Sequence, residues 1–222
     1  MLSDARLVAA KDLRIELRSK VALNQVAPFA AAVLLLFGFA LGPDRATLEP
    51  AAAGLFWVAV LLSALLAVQR SFAIEGAGGG HDALRLSGLD PAGIFLGKAS
   101  AVAVQLLVLE LLLTAGIAIF YGAQLAGFLV LAGAAVLATV GLAAVGTIYG
   151  MASSGLRARE TLLPLLFLPV VAPVLLAATK AWDAALTGPA GAGAGWLAVL
   201  GVFAAVYLAA GIVAFDPLLE DA

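Results

Sequence analysis

"RARETLLPLLFLPVVAPVLLAAT" (157–179) sets two arginines and a glutamate directly ahead of an apolar run holding three prolines, Pro164, Pro169 and Pro173. In a soluble helix each interior proline costs about 3 kcal/mol, because it lacks an N–H and its ring meets the carbonyl four residues back. Inside a bilayer such prolines are tolerated where neighbouring helices or cavity water take up the freed carbonyls. The stretch therefore reads as a membrane-crossing helix. Pro164 falls in the first turns after Glu160, where a missing N–H matters less. Pro169 and Pro173 free the carbonyls of Leu165 and Pro169, and their spacing of four puts them on one side. The expected product is a bent or locally opened helix joined to the Arg157–Glu160 turn, able to carry movement of that turn into the membrane. A static kink that only shapes packing is the other reading.

The rest of the chain agrees with a membrane setting. Of its 222 residues 64% are hydrophobic and 12% charged, against about 25% charged in average soluble domains. So little polar surface cannot cover a water-facing globule, which makes this an all-α integral membrane protein. Spans of about 20 apolar residues are then the unit to find. Six are expected, at 21–41, 52–69, 99–120, 125–150, 162–180 and 196–214, with a charged segment at 1–20, a longer connection at 70–98 and a tail at 215–222. The apolar run of the first span exceeds the usual length of about 7–15 residues for a signal sequence, so it is read as a retained helix.

Cations orient the spans. Arg6, Lys11, Arg14, Arg18, Lys20, Arg70, Arg85, Lys98, Arg157 and Arg159 fall on one side, and only Arg45 and Lys180 on the other. The excess places both termini in the cytoplasm. Trp57, Trp182 and Trp196 all lie toward the outer ends of their spans. An interfacial aromatic belt explains them; a platform for a flat apolar ligand or partner subunit is the alternative. Ala135, Thr139, Ala143 and Thr147 recur every fourth residue, beside the pair Gly146 and Gly150. Such stripes let helices approach closely, either inside the protomer or against a second copy.

Several chemistries are excluded. With no cysteine and a single histidine, His81, the chain has no zinc, iron–sulfur or covalent haem site of its own. "GIFLGKAS" (93–100) resembles a phosphate-binding loop, but it has three residues between its glycines where four are needed, and Ala99 follows the lysine. No catalytic residues and no metal ligands are assigned, and no nucleic-acid partner is expected.

Three features remain. Glu110, in "LLVLELLLTAG" (106–116), sits near the middle of the third span, where a charge is expensive and usually faces a cavity or neighbouring helix. It is either a protonated carboxyl bonded to Thr114, a carbonyl or another span, or a polar point on a substrate path or dimer seam. The connection 70–98 opens with Glu75, passes "GAGGG" (76–80) and continues as "HDALRLSGLDPAGIFLGK" (81–98). Asp82 can cap a short amphipathic helix carrying Leu84 and Leu86, which Gly88 and Pro91 end. Such a helix suits docking to a soluble subunit or lies on the membrane surface. In "DLRIELRSK" (12–20), Leu13 and Leu17 share a face with Val21, opposite Lys11, Arg14 and Arg18; it rests on the anionic inner surface or frames the same docking site.

Taken in order, "DLRIELRSK", "FGFALGP", "LFWVAVLLSALLAVQRSF", "LRLSGLDPAGIFLGK", "VGLAAVGTIYG" and the proline-rich fifth span make the chain resemble the heme exporter protein B (CcmB) family. Between Glu75 and the leucines this chain carries glycines where that family has a more charged pattern. The resemblance implies a type-2 ABC exporter-like permease of the bacterial inner membrane. It also implies a separate ATPase subunit that holds the ATP, and haem-handling membrane subunits that load haem for c-type cytochromes. Haem is then a substrate of the complex, and this chain holds no cofactor. The ATPase-coupling candidates are Glu75, Leu84, Arg85, Leu86, Ser87, Gly88, Arg157, Arg159 and Glu160; those in the membrane are Glu110, Pro164, Pro169 and Pro173. A permease for a lipid or drug, a non-transporting scaffold for haem-handling subunits, and a proton-coupled carrier stopped by Glu110→Gln are the competing expectations.

Overall fold

A computed structural model describes residues 1–20, 22–42, 44–77, 84, 86–153, 159–189 and 191–220, giving the backbone alone at 22–23, 74–77 and 159–161. Its helices are α1 (Leu2–Ser19), α2 (Ala27–Leu41), α3 (Arg45–Ala77), α4 (Pro91–Phe120), α5 (Phe128–Ala152), α6 (Arg159–Thr187) and α7 (Ala194–Glu220). No strand occurs among the described residues. All but α1 are long and apolar enough to cross a membrane, α2 doing so with the π-turn that precedes it. The chain is an all-α, multi-pass membrane protein.

The helices outrun their apolar cores. α3 continues to Ala77 and α4 begins at Pro91, so the connection expected at 70–98 narrows to 78–90. Polar residues such as Gln69, Arg70 and Ser71 can stay helical at the headgroup level, because a helix satisfies its own backbone wherever the side chains find water. α4 starts where it does because Asp90 Oδ1 accepts the Ala92 N–H at 3.2 Å and Pro91 occupies the first turn. α1 stops at Lys20, which takes a left-handed conformation with φ 53°, and the π-turn Ala22–Val26 carries the chain into α2.

Helix association in lipid gains little from the hydrophobic effect, so close packing of small residues has to supply it. The molecule is built that way. Gly146 and Gly150 on α5 form notches for Val68 and Phe72 of α3, and Gly211 on α7 receives the Phe95 ring of α4. Gly141 of α5 faces Tyr207 and Val174. The small-residue stripe therefore serves packing within one protomer: Thr139, Ala143 and Thr147 are buried and Ala135 half-buried. α3 and α5 form the centre, while α2 and α7 are peripheral and turn residues such as Leu36, Phe39, Val202 and Val213 outward, more than 60% exposed, to where lipid would lie.

Both ends of the chain reach the same end of the bundle. α1 lies against Gly93 and Gly97 in the first turns of α4, and Phe215 of α7 meets Phe95 there with ring centroids 5.6 Å apart.

Candidate functional site

The α1 end of the bundle gathers most of the groups singled out in the sequence. Gly93 and Gly97 have no side chain, so α1 approaches until a Cβ on Gly97 would stand 2.7 Å from the Ala5 carbonyl oxygen. This close approach selects Asp4, Val8 and Asp12, spaced four apart, as the inward face of α1. The expected apolar face is corrected accordingly: Leu17 is 75% exposed and Leu13 only half-buried, and Val21 lies outside the described residues.

Beneath α1 lies a buried charge that was expected among the cations of the 70–98 connection. Lys98 is 1% exposed. Its Nζ stands 3.5 Å from Asp12 Oδ2 and 4.9 Å from the centroid of Phe72. Asp12 Oδ1 also lies 3.0 Å from the more exposed Lys11 Nζ. The Cδ2–Cε2 edge of Phe72 fills the Gly150 notch. One continuous stack therefore ties α1, α4, α3 and the end of α5 together, just before the chain leads toward Arg159. The signal that could have found it is the i, i+4 spacing of Val8 and Asp12, which puts an acid on the same side of α1 as an apolar residue, where a charge is stable only with a partner.

The turn before α4 is tied to the same unit. Ser87 Oγ donates to the Leu84 carbonyl at 2.6 Å, the Leu89 N–H donates to Ser87 Oγ, and Gly88 takes φ +68°, which suits glycine. The Asp90 N–H donates to Asp4 Oδ2 at 3.3 Å. That backbone donor holds the Asp4 carboxyl below its usual range. The contact favours the folded form at neutral pH and is lost as acid protonates Asp4 through its lowered pKa. Leu84 is buried in the core, whereas Leu86 is 85% exposed. The expected pair of docking leucines thus divides into an anchor and a free side chain.

Of the other coupling candidates, Arg85 and Arg157 lie outside the described residues, as does His81. Glu75 sits in the last turns of α3, and Arg159 and Glu160 open α6, each described by its backbone alone. Pro164, Pro169 and Pro173 all lie within an uninterrupted α6. Next to them, Tyr207 Oη of α7 donates to the Val170 carbonyl at 2.6 Å. This inter-helix donor falls between the two deeper prolines, and not on the Leu165 or Pro169 carbonyls that they free. Tyr207→Phe should lower thermal stability in detergent by about 0.5–1 kcal/mol, the usual worth of one inter-helix hydrogen bond. An unchanged melting profile would show that Val170 needs no second donor.

Toward the opposite end, Phe56, Trp57 and Trp182 form an aromatic cluster. Phe56 stacks on Trp182 at 3.9 Å, and Trp57 packs edge-on against both. Trp57 and Trp182 are each 1% exposed, so neither belongs to an interfacial belt; Trp196, 40% exposed, can. The Trp182 indole N–H donates to the Leu131 carbonyl at 3.1 Å. These rings are held inside because α3 and α6 pack directly against one another there. Glu110 is 3% exposed, and Thr139 of α5 donates to its Oε1. Of the three expected partners it is thus another span that bonds the carboxyl, while Thr114 donates to the Glu110 backbone carbonyl at 2.7 Å.

With this geometry in hand, the comparisons with known proteins decide the lineage. The family model described as "CcmB protein" matches residues 4–220. The chain belongs to the CcmB family. Its similarity extends to heme exporter protein B of Haemophilus influenzae, 34% identical over 197 residues, and of Pseudomonas aeruginosa, 31% identical over 195; each alignment covers 87% of both chains. Heme exporter protein B of Paracoccus denitrificans is 31% identical over 180 residues, 77% of this chain and 78% of its own. The α1–α4 stack and the Glu110–Thr139 pair both fall within the span that the CcmB model matches.

Proposed function

We propose that this chain is the membrane permease subunit of an ABC transporter complex that exports or releases haem for c-type cytochrome assembly, in the bacterial inner membrane. The observation that carries the reading is the nearly full-length similarity to proteins named heme exporter protein B. A separate ATPase subunit supplies the power stroke, and haem-handling membrane subunits receive its effect. The cation asymmetry, nine to two without the buried Lys98, supports a cytoplasmic α1 end, where the ATPase can reach it.

The geometry supports a mechanism for the coupling. The ATPase seats on the exposed face of the 84–90 turn, with Leu86 as its apolar contact. Leu84 and the Asp4–Asp90 contact tie that turn to α1 and to the start of α4. Displacement then passes through Lys98 and Phe72 to the end of α5, and across the short connection to α6. Its prolines leave α6 with fewer internal hydrogen bonds to resist bending.

Two measurements test this. Deleting the gene should abolish haem staining of c-type cytochromes, with recovery on adding back the wild-type chain; normal staining in the deletion would overturn the haem assignment. Leu86→Glu should abolish co-purification with the ATPase while the permease stays inserted, because burying a charge against an apolar pocket removes at least the ~1.5–3 kcal/mol that a buried leucine supplies. Leu86 is the sound probe, since a change at buried Leu84 would also disturb the fold. The chain has no cysteine, so Leu86→Cys gives a single label site. A membrane-impermeant maleimide should reach it only after permeabilisation; labelling of intact cells would invert the topology.

A further inference from the structure

Between α4 and α5, in the half of the bundle away from α1, lies a cleft of about 240 Å³ lined by Leu107, Glu110, Leu111, Phe128, Ala135 and Trp182 among others. Leu111 and Phe128 at its edge are 71% and 66% exposed, so it opens sideways to where lipid would lie. Its walls are apolar except for Glu110, Thr114 and the Trp182 indole N–H.

The hydrogen bonds of that carboxyl are incomplete. Oε1 accepts from Thr139, itself fully buried, while Oε2 is buried and has no hydrogen-bond partner. The Thr114 hydroxyl is occupied by the backbone carbonyl of Glu110, and the Trp182 N–H by Leu131. No ion pair involves Glu110 among the described residues. An ionised carboxylate without a cation is not sustained in such a place, so the group keeps its proton. With Oε1 accepting from Thr139, the proton belongs on Oε2, where it is a buried donor lacking an acceptor.

We infer that this cleft binds a membrane-dissolved molecule with a flat apolar body and a carbonyl oxygen, the body lying against Phe128 and Trp182 and the oxygen accepting from Glu110 Oε2–H once a turn of the buried carboxyl brings it to the cleft wall. Depth argues against a phospholipid. Glu110 is 120 − 110 = 10 residues from the end of α4, about 15 Å at ~1.5 Å per residue. That is close to the middle of a hydrocarbon layer about 30 Å thick. Lipid ester groups stay at the interface, and acyl chains reach this depth but carry no acceptor. This assignment stands apart from the haem reading: it rests on the cleft and its unmatched donor alone.

The test uses dicyclohexylcarbodiimide on membranes containing the full chain in its complex. This apolar reagent takes the proton of a neutral carboxyl onto one nitrogen while the carboxyl oxygen bonds to the central carbon; acyl migration to nitrogen then leaves a stable N-acylurea readable by mass spectrometry. An adduct on the Glu110 peptide is expected, absent in Glu110→Gln. Decylubiquinone should slow its formation roughly tenfold more than n-decane does, the discrimination that one hydrogen bond can supply. Ala135→Phe, which fills the cleft and leaves Glu110 in place, should suppress the adduct as well. No adduct on the wild type would overturn the site, because the carboxyl would then be ionised or covered by a partner. Equal protection by quinone and alkane would reduce the cleft to a hydrocarbon slot, and undiminished labelling of Ala135→Phe would place the reaction elsewhere.

Discussion

Lys98→Met should loosen α1 from the bundle and lower stability by about 3 kcal/mol. Breaking a buried ion pair by removing one partner typically costs about 3–5 kcal/mol, because the remaining charge keeps its desolvation penalty and loses its compensation. The lower end applies because Lys11 Nζ still lies 3.0 Å from Asp12 Oδ1. The loss of the cation over Phe72, 4.9 Å from the ring centroid, adds a smaller share. Two readouts separate this from a general defect. Thermal unfolding in detergent should shift down, and trypsin should cut faster after Arg14 and Arg18, which α1 presents on its exposed side. Adding Asp12→Leu to Lys98→Met removes the orphaned charge and should restore most of the loss. A single variant as stable as the wild type would mean that the pair is solvated and the stack carries no load.

The second large effect concerns a methyl group. A Cβ on Gly150 would come within 2.5 Å of Phe72 Cδ2, well inside contact distance. Phe72 is fully buried, with Lys98 above it, so the ring cannot swing away without disturbing the ion pair. Gly150→Ala should therefore destabilise by about 1–3 kcal/mol, as overpacking of a filled core does. This outweighs the roughly 0.5–1 kcal/mol that alanine gains over glycine inside a helix. Gly54 and Gly201 supply the control, since a Cβ at either would meet nothing within 4 Å. Their alanine variants should be as stable as the wild type or slightly more so. Comparable melting temperatures for all three variants would show that the α3–α5 interface is loose enough to admit a side chain.

These two sites also mark where the amino-acid sequence stopped being legible. The spans themselves were plain, because a run of about 20 apolar residues has few other uses, but their helices begin earlier than expected, at Pro91 and Arg159 and not at 99 and 162. Lys98 was counted among the cations of the 70–98 connection, yet it is buried. It sits about two turns into α4, and nothing near it in the chain announces Asp12. Trp57 and Trp182 look like interfacial residues by their positions along the spans, yet they face inward because α3 and α6 meet at that level. Glu110 was visible as a misplaced charge. Its partner was not: Thr139 belongs to a stripe of small residues that reads equally well as packing.

The order of amino acids alone settles that this chain has six spans long and apolar enough to cross a membrane, and roughly where each lies. Only the assembled bundle decides which face of each helix looks inward and which buried polar groups meet. The reason is physical. Lipid tails and helix interiors are almost equally apolar, so hydrophobic periodicity does not distinguish them. Orientation is left to shape, to notches such as Gly97 and Gly150 and the side chains that fill them, and these come from helices far apart in the chain.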